Sequence, residues 1–310
     1  MLAHGLLLAV VLVWGTTFVL IKAALQDCTP LLFNQIRMLL AAALLLFVNG
    51  REVLRARGRV WTGGVLAGCL LALGYELQTA GLARTTAAKN ALLTGTVVVL
   101  VPLFALLAAA ITRSKAKVRW PVLVSAALSF FGIALLTTPA GTTLQSLRGA
   151  IQFGDVLSLL CAVGFAAHLL TLAHFSKGSS AAVLVTVQIG AAALAMSIAT
   201  PLLERAHAHV TGLLVTTWVL TACFATAAAF WIQTWAQKHM PPTHVAVMLA
   251  LEPAFAWVTS LMFLGERLGS RGAVGAGLIL GGLLLGELAP GGTPVPEQPE
   301  AGLHVAEGGA

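Results

Sequence analysis

Charge is what this chain has least of: among its 310 residues, Asp, Glu, Lys and Arg together make up 9%. A soluble domain carries about 25%. A soluble core of this length could not enclose the 58% of residues that are apolar, because surface-to-volume scaling leaves the excess facing outward. Lipid is the solvent that accepts such a surface, and a mean hydropathy of +0.93 agrees. Spacings used by metal sites and enzymes are also missing. The four cysteines, Cys28, Cys69, Cys161 and Cys223, are scattered and read as free thiols acting as small hydrophobes. There is no His-Glu-x-x-His, no Gly-x-Ser-x-Gly and no phosphate-cradling Gly-x-x-x-x-Gly-Lys-Ser/Thr. No metal or cofactor is expected, the chain is not read as an enzyme, and any coupling energy must come from a gradient. The net charge of +7 does not point to nucleic acid, because the basic residues cluster in short loops between apolar runs.

Those apolar runs are what the chain has in abundance. A bilayer core of about 30 Å needs roughly 20 apolar residues per helix. Charge clusters, Gly and Pro cut the chain into ten such spans, at 4–25, 30–49, 60–83, 88–112, 119–139, 150–174, 180–202, 210–237, 241–264 and 269–288. The first opens near Met1 without a basic leader and reads as a retained helix. The runs are apolar all round and lack the alternation of membrane barrel strands, so the fold class expected is an all-α polytopic membrane protein. Arg51, Arg55, Arg57 and Arg59 in one loop and Arg113, Lys115, Lys117 and Arg119 in another fall on one side of ten spans. Positive-inside places that side, and both termini, in the cytoplasm of an inner or plasma membrane. The tail 289–310, rich in Gly, Pro and Glu, is expected to be disordered.

Two stretches echo each other. Gln78-Thr79 leading to Pro102-Leu103-Phe104-Ala105 resembles Gln233-Thr234 leading to Pro253-Ala254-Phe255-Ala256, offset by about 150 residues. This implies two five-helix repeats, 4–139 and 150–288. Five is odd, so the second copy enters the membrane upside down, with a site between the copies near the midplane.

Several short motifs then line up in order. They are Trp14-Gly15-Thr16-Thr17-Phe18 with Lys22, Arg37, Asn90-Ala91-Leu92-Leu93-Thr94-Gly95 and Val101-Pro102. Gly154-Asp155, Gln233-Thr234-Trp235-Ala236-Gln237, Pro241-Pro242-Thr243, Leu251-Glu252-Pro253 and Leu264-Gly265-Glu266-Arg267 follow. Together they resemble an EamA-type transporter of the drug/metabolite transporter superfamily. The resemblance implies ten helices as two inverted EamA repeats, cytoplasmic termini, and export of amino acids or related metabolites. The first repeat departs from the pattern, reading Thr112-Arg113-Ser114-Lys115 where the second has Gly265-Glu266-Arg267.

Ionisable groups inside a membrane are expensive and therefore candidate functional groups. Glu252 lies beside Pro253, which has no backbone donor, so it is either a proton or ammonium site or a protonated group bonded to helix backbone at a kink. Glu76 has no basic neighbour one turn away and is the leading candidate for coupling. His168 titrates near neutrality when exposed, or is satisfied by a helix carbonyl when buried. Trp14, Thr17, Gln78, Asn90 and Gln233 complete a candidate aromatic and amide lining for an amphiphilic small-molecule substrate. Lys22 and Arg37 are expected to snorkel to the interface; turned inward, they would favour an anionic substrate. Gly275, Gly277, Gly281 and Gly282 make the tenth span a packing helix and a candidate homodimer face. A secondary transporter is the expected function; an intramembrane enzyme and a non-transporting scaffold are the alternatives.

Overall fold

The computed structural model describes residues 2–97, 99–101, 103–104, 107, 120–137, 151–176, 179–239 and 248–288. The basic loop 113–119, the Pro241-Pro242 turn and the tail 289–310 lie outside them. The described chain folds into α1 (Leu2–Ala24), α2 (Pro30–Arg55), α3 (Arg59–Leu82), α4 (Ala87–Gly95), α5 (Trp120–Thr137), α6 (Phe153–Phe175) and α7 (Ala181–Leu203). There follow α8 (Gly212–Ala222), a π-helical stretch Cys223–Ala228, α9 (Ala229–His239), α10 (Glu252–Leu264) and α11 (Ser270–Leu288). Among the described residues, six helices, counting Gly212–Ala236 as one, are long and apolar enough to cross a membrane.

Local chemistry sets the helix ends. Pro30 occupies the first position of α2, where its missing N–H costs nothing. The hydroxyls of Thr86 and Thr211 accept from the backbone N–H of Lys89 and Leu214, capping α4 and α8. Gly265 ends α10 at φ 64, a left-handed conformation that suits glycine. Two spans read as continuous are broken. The span read over 88–112 turns at Thr96, whose N–H reaches back only to the Leu93 carbonyl, 3.2 Å away. The span read over 241–264 turns at Ala250 and Leu251, so Glu252 sits at the amino end of α10 and not within a helix. Pro253 at the second position is a helix starter here, which is why no mid-helix kink forms around it.

Contacts fix the direction of each helix. Nζ of Lys22, at the end of α1, donates to the Leu82 carbonyl at the end of α3, 2.7 Å away. Asp155 at the start of α6 accepts from Thr85 and pairs with Lys89 at the start of α4. Glu204, after α7, accepts from the N–H groups of Leu31 and Leu32 at the start of α2. Thr211, before α8, donates to Asp27, and Cys28 forms an antiparallel bridge with Ala208. Glu266, after α10, accepts from the N–H groups of Ala87 and Ala88. At this end of the bundle, therefore, α1, α3, α7 and α10 finish while α2, α4, α6 and α8 begin. At the opposite end the start of α3 meets the end of α6, where Arg59 lies 2.8 Å from the ring of His174.

Small residues let these helices touch. A side chain on Gly164 of α6 would lie 3.2 Å from the Gly74 backbone of α3, so the two cross glycine to glycine. Gly132 of α5 and Gly275 of α11 meet in the same way, as do Gly282 and the Ser125 carbonyl. Gly277 and Gly281 have nothing within 4 Å. Large apolar side chains such as Phe47 and Leu54 cover the outside of the bundle. Of the cysteines, Cys28 and Cys161 are buried, while Cys69 is exposed on that apolar outer surface.

Candidate functional site

A cavity of about 210 Å³ lies between α1, α2, α3, α4, α6, α9 and α10. Its walls are mainly aromatic. Trp14, Tyr75, Phe165 and His168 gather around Phe230, with ring centroids between 5.7 and 6.5 Å for Trp14, Tyr75 and His168. Phe165 meets the Tyr75 ring edge-on at 5.3 Å. These pairings hold the rings apart from one another's faces, so apolar surface stays presented to the cavity.

Six of the eight residues singled out from the sequence line this cavity: Trp14, Thr17, Gln78, His168, Gln233 and Glu252. Nε1 of Trp14 donates to the Ala225 carbonyl, 2.8 Å away, and Thr17 bonds within its own helix. His168 is 3% exposed and its Nε2 lies 2.9 Å from Oε1 of Gln188, so its partner is a side-chain amide and not a helix carbonyl. Oε1 of Gln233 is buried without a partner among the described residues. Glu252 makes no hydrogen bond or ion pair among the described residues and is half-buried.

Glu76 and Asn90 are placed elsewhere. One Glu76 oxygen accepts from the Asn34 amide at 3.2 Å, and the helical turn that carries Tyr75 and Gln78 to the cavity carries Glu76 toward α2. Asn90 is fully buried between helices, its amide donating to the Ser158 hydroxyl at 2.7 Å and the Gln78 carbonyl at 3.1 Å. It ties α4 to α3 and α6.

Arg37 lines the cavity too, the lesser of the two placements expected for it. Instead of snorkelling, it is 2% exposed. Its Nε donates to the Thr226 hydroxyl at 2.8 Å, and its Nη2 approaches Tyr75 Oη at 3.3 Å and the Ala225 carbonyl at 3.4 Å. Its guanidinium carbon lies 4.5 Å from the centre of the Tyr75 ring. The π-helical stretch makes this possible. Wider winding turns the Ala225 carbonyl and the Thr226 hydroxyl toward α1 and α2, where Trp14 and Arg37 reach them. Lys22, the other expected snorkeler, spends its ammonium on the carbonyls of Leu82 and Thr85.

Comparison with known proteins decides the family. The model of the EamA-like transporter family matches twice, over residues 1–138 and 152–286. This chain belongs to the EamA-like transporter family. It is 30% identical over 272 residues to a protein of Archaeoglobus fulgidus described as an uncharacterized transporter, covering 87% of this chain and 81% of the relative. A second such protein from the same organism is 28% identical over 292 residues, covering 91% and 96%. A solved crystal structure superposes with a TM-score of 0.62 at 17% identity, covering 91% of this chain and 96% of its own, a likeness of fold. Membership of this family, with the apolar helices, makes the chain an integral membrane protein. The two matched segments are its two repeats, and the cavity draws lining residues from both: Trp14, Arg37 and Gln78 from the first, His168, Gln233 and Glu252 from the second.

Proposed function

We propose that this EamA-family protein is a secondary transporter that exports a small amphiphilic metabolite by alternating access of two inverted five-helix halves. The single observation carrying this reading is the shared cavity. Aromatic rings for an apolar body and open polar groups for a headgroup converge there from both repeats. Helix direction supports the inversion: α1, α2, α3 and α4 each run opposite to their counterparts α6, α7, α8 and α10. Breaks at Thr96 and Leu251, in the counterpart helices α4 and α10, supply the interrupted backbone on which transporters build central sites. The ten-span reading rests on the apolar runs of the sequence, and cytoplasmic termini in a plasma membrane rest on the arginines flanking the α2–α3 connection.

In this orientation the face carrying Lys22 is extracellular. The lining reaches Ile21 and Leu82 there, at the ends of α1 and α3, but on α3 it stops at Leu71, about 18 Å of helix short of Arg59. The reading is tested in vesicles containing the purified protein. Solutes that differ between media of cells with and without the gene should cross these vesicles down their gradients. Glu252→Gln should alter how that flux responds to pH. Vesicles inert to every such solute would sink the reading, whereas thiol labelling at Trp14→Cys, Gln78→Cys and Gln233→Cys should report one shared aqueous path.

A further inference from the structure

Arg37 is the one lysine or arginine of the cavity lining, and it is unpaired among the described residues. Among the described residues the one ion pair joins Lys89 to Asp155, so no carboxylate stands within 4.0 Å of Arg37. Its three hydrogen-bond acceptors, Thr226, Tyr75 and Ala225, are neutral. Nη1 donates to none of the described residues. Arginine does not lose its proton in proteins. A buried guanidinium bonded only to neutral groups keeps its charge uncancelled, which is costly inside a membrane. The missing partner is an anion, and the fork of N–H groups matches a planar carboxylate.

Charge narrows the class. The lining holds no second Lys or Arg to match a second negative charge, so a single anionic group fits better than a dianion. A nitrogen donor on the same ligand would find an acceptor in Glu252, which makes no hydrogen bond among the described residues. Size narrows it further. About 210 Å³ lies below the roughly 300–1,000 Å³ typical of pockets for drug-sized molecules, which suits a small metabolite.

We propose that Arg37 anchors the carboxylate of the molecule this protein carries, a small monocarboxylate whose apolar body lies against Trp14 and Phe230. An amino group on that molecule, where there is one, meets Glu252. The inference rests on the transport reading only in calling the ligand cargo; binding stands without flux.

The test is thermal unfolding and calorimetric binding of the detergent-purified protein with matched probes: leucine, isocaproate, leucinamide and isoamylamine, and the same four forms built on alanine, valine and phenylalanine. Carboxylate forms should stabilise the protein, and amide and amine forms should not. Arg37→Gln should lower carboxylate affinity at least tenfold while unfolding, ligand-free, at no lower temperature than the native protein. Arg37→Lys keeps the charge, lacks the planar fork, and should lose most of the affinity. Amides binding as well as acids, undiminished acid binding by Arg37→Gln, or no binding by any acid in the panel would each overturn the proposal. The acid-against-amide comparison needs no variant, so it decides even if Arg37→Gln does not fold. Carboxylate binding without flux in vesicles would remove transport and leave the site; flux confined to molecules without a carboxylate would do the reverse.

Discussion

Nζ of Lys89 lies 2.7 Å from Oδ2 of Asp155, joining the first turn of α4 in one repeat to the first turn of α6 in the other. The Asp155 side chain is fully buried, and its second oxygen accepts from Thr85. Removing one partner of a buried pair costs about 3–5 kcal/mol, because the other charge is left uncompensated. Lys89→Met should therefore lower stability by about 3 kcal/mol in denaturant titration of the detergent-solubilised protein. Adding Asp155→Asn to it should recover most of the loss. Additive losses in the double variant would refute the pairing as the cause.

Glu204 and Glu266 do the same job in two places. Each carboxylate accepts from two backbone N–H groups at the start of a helix in the other repeat, Leu31 and Leu32 for one, Ala87 and Ala88 for the other. Ser260 also donates to Glu266. Losing such a cap costs about 1–2 kcal/mol and is felt first in the exposed turn. Hydrogen exchange should accelerate at Ala87 and Ala88 in Glu266→Ala and at Leu31 and Leu32 in Glu204→Ala, with each variant leaving the other helix unchanged.

Gly15 brings α1 against α10. A side-chain carbon there would lie 2.7 Å from Cβ of Phe255 and 3.0 Å from the Ala256 backbone nitrogen. Backbone cannot swing aside as a flexible side chain can, so Gly15→Ala should cost about 1–3 kcal/mol. Gly190→Ala, with open space around it, should be neutral or slightly stabilising. Unfolding temperatures of the pair decide the matter; equal effects would mean that helix propensity and not contact governs Gly15.

Cys28 gives a pH dependence. In the connection between α1 and α2, burial pushes its thiol up to about 12 from 9.0, with Glu204 and Asp27 adding to the rise. A group whose pKa is raised on folding contributes stability that is intact below the unfolded value and is lost as pH climbs through the folded one. The window thus runs from about 9 to about 12. Cys28 should resist alkylation at pH 8 in the folded protein and react after denaturation, as mass spectrometry of the modified peptide would show.

Where the helices lie was written in the sequence more plainly than where they break. The apolar run over 4–25 became Leu2–Ala24 and that over 60–83 became Arg59–Leu82, because hydrophobic length is a local property. Interruption at Thr96 and Leu251 is not, since it depends on which carbonyls neighbouring helices leave unpaired. The repeat motif was legible too: Gln78 and Gln233 hold corresponding places, and both reach the cavity wall. Arg37 was not. A lone arginine seven residues into a helix reads as an interfacial one, and nothing along the chain reveals that Thr226, 189 residues on, waits beside it. Nor does Cys-Phe-Ala-Thr-Ala-Ala, without glycine or proline, announce a π-helix.

That widened stretch makes the eighth span sensitive to length more than to composition. It holds one residue beyond what regular winding needs. Deleting Ala228 would let the helix close into uniform turns while the residues after it keep their facing. Phe230 and Gln233 would stay at the cavity, but Ala225 would take its carbonyl back from Trp14 and Arg37. A single-codon deletion here should silence the protein while leaving its insertion and helix content intact, which circular dichroism and cell-surface labelling would separate from misfolding.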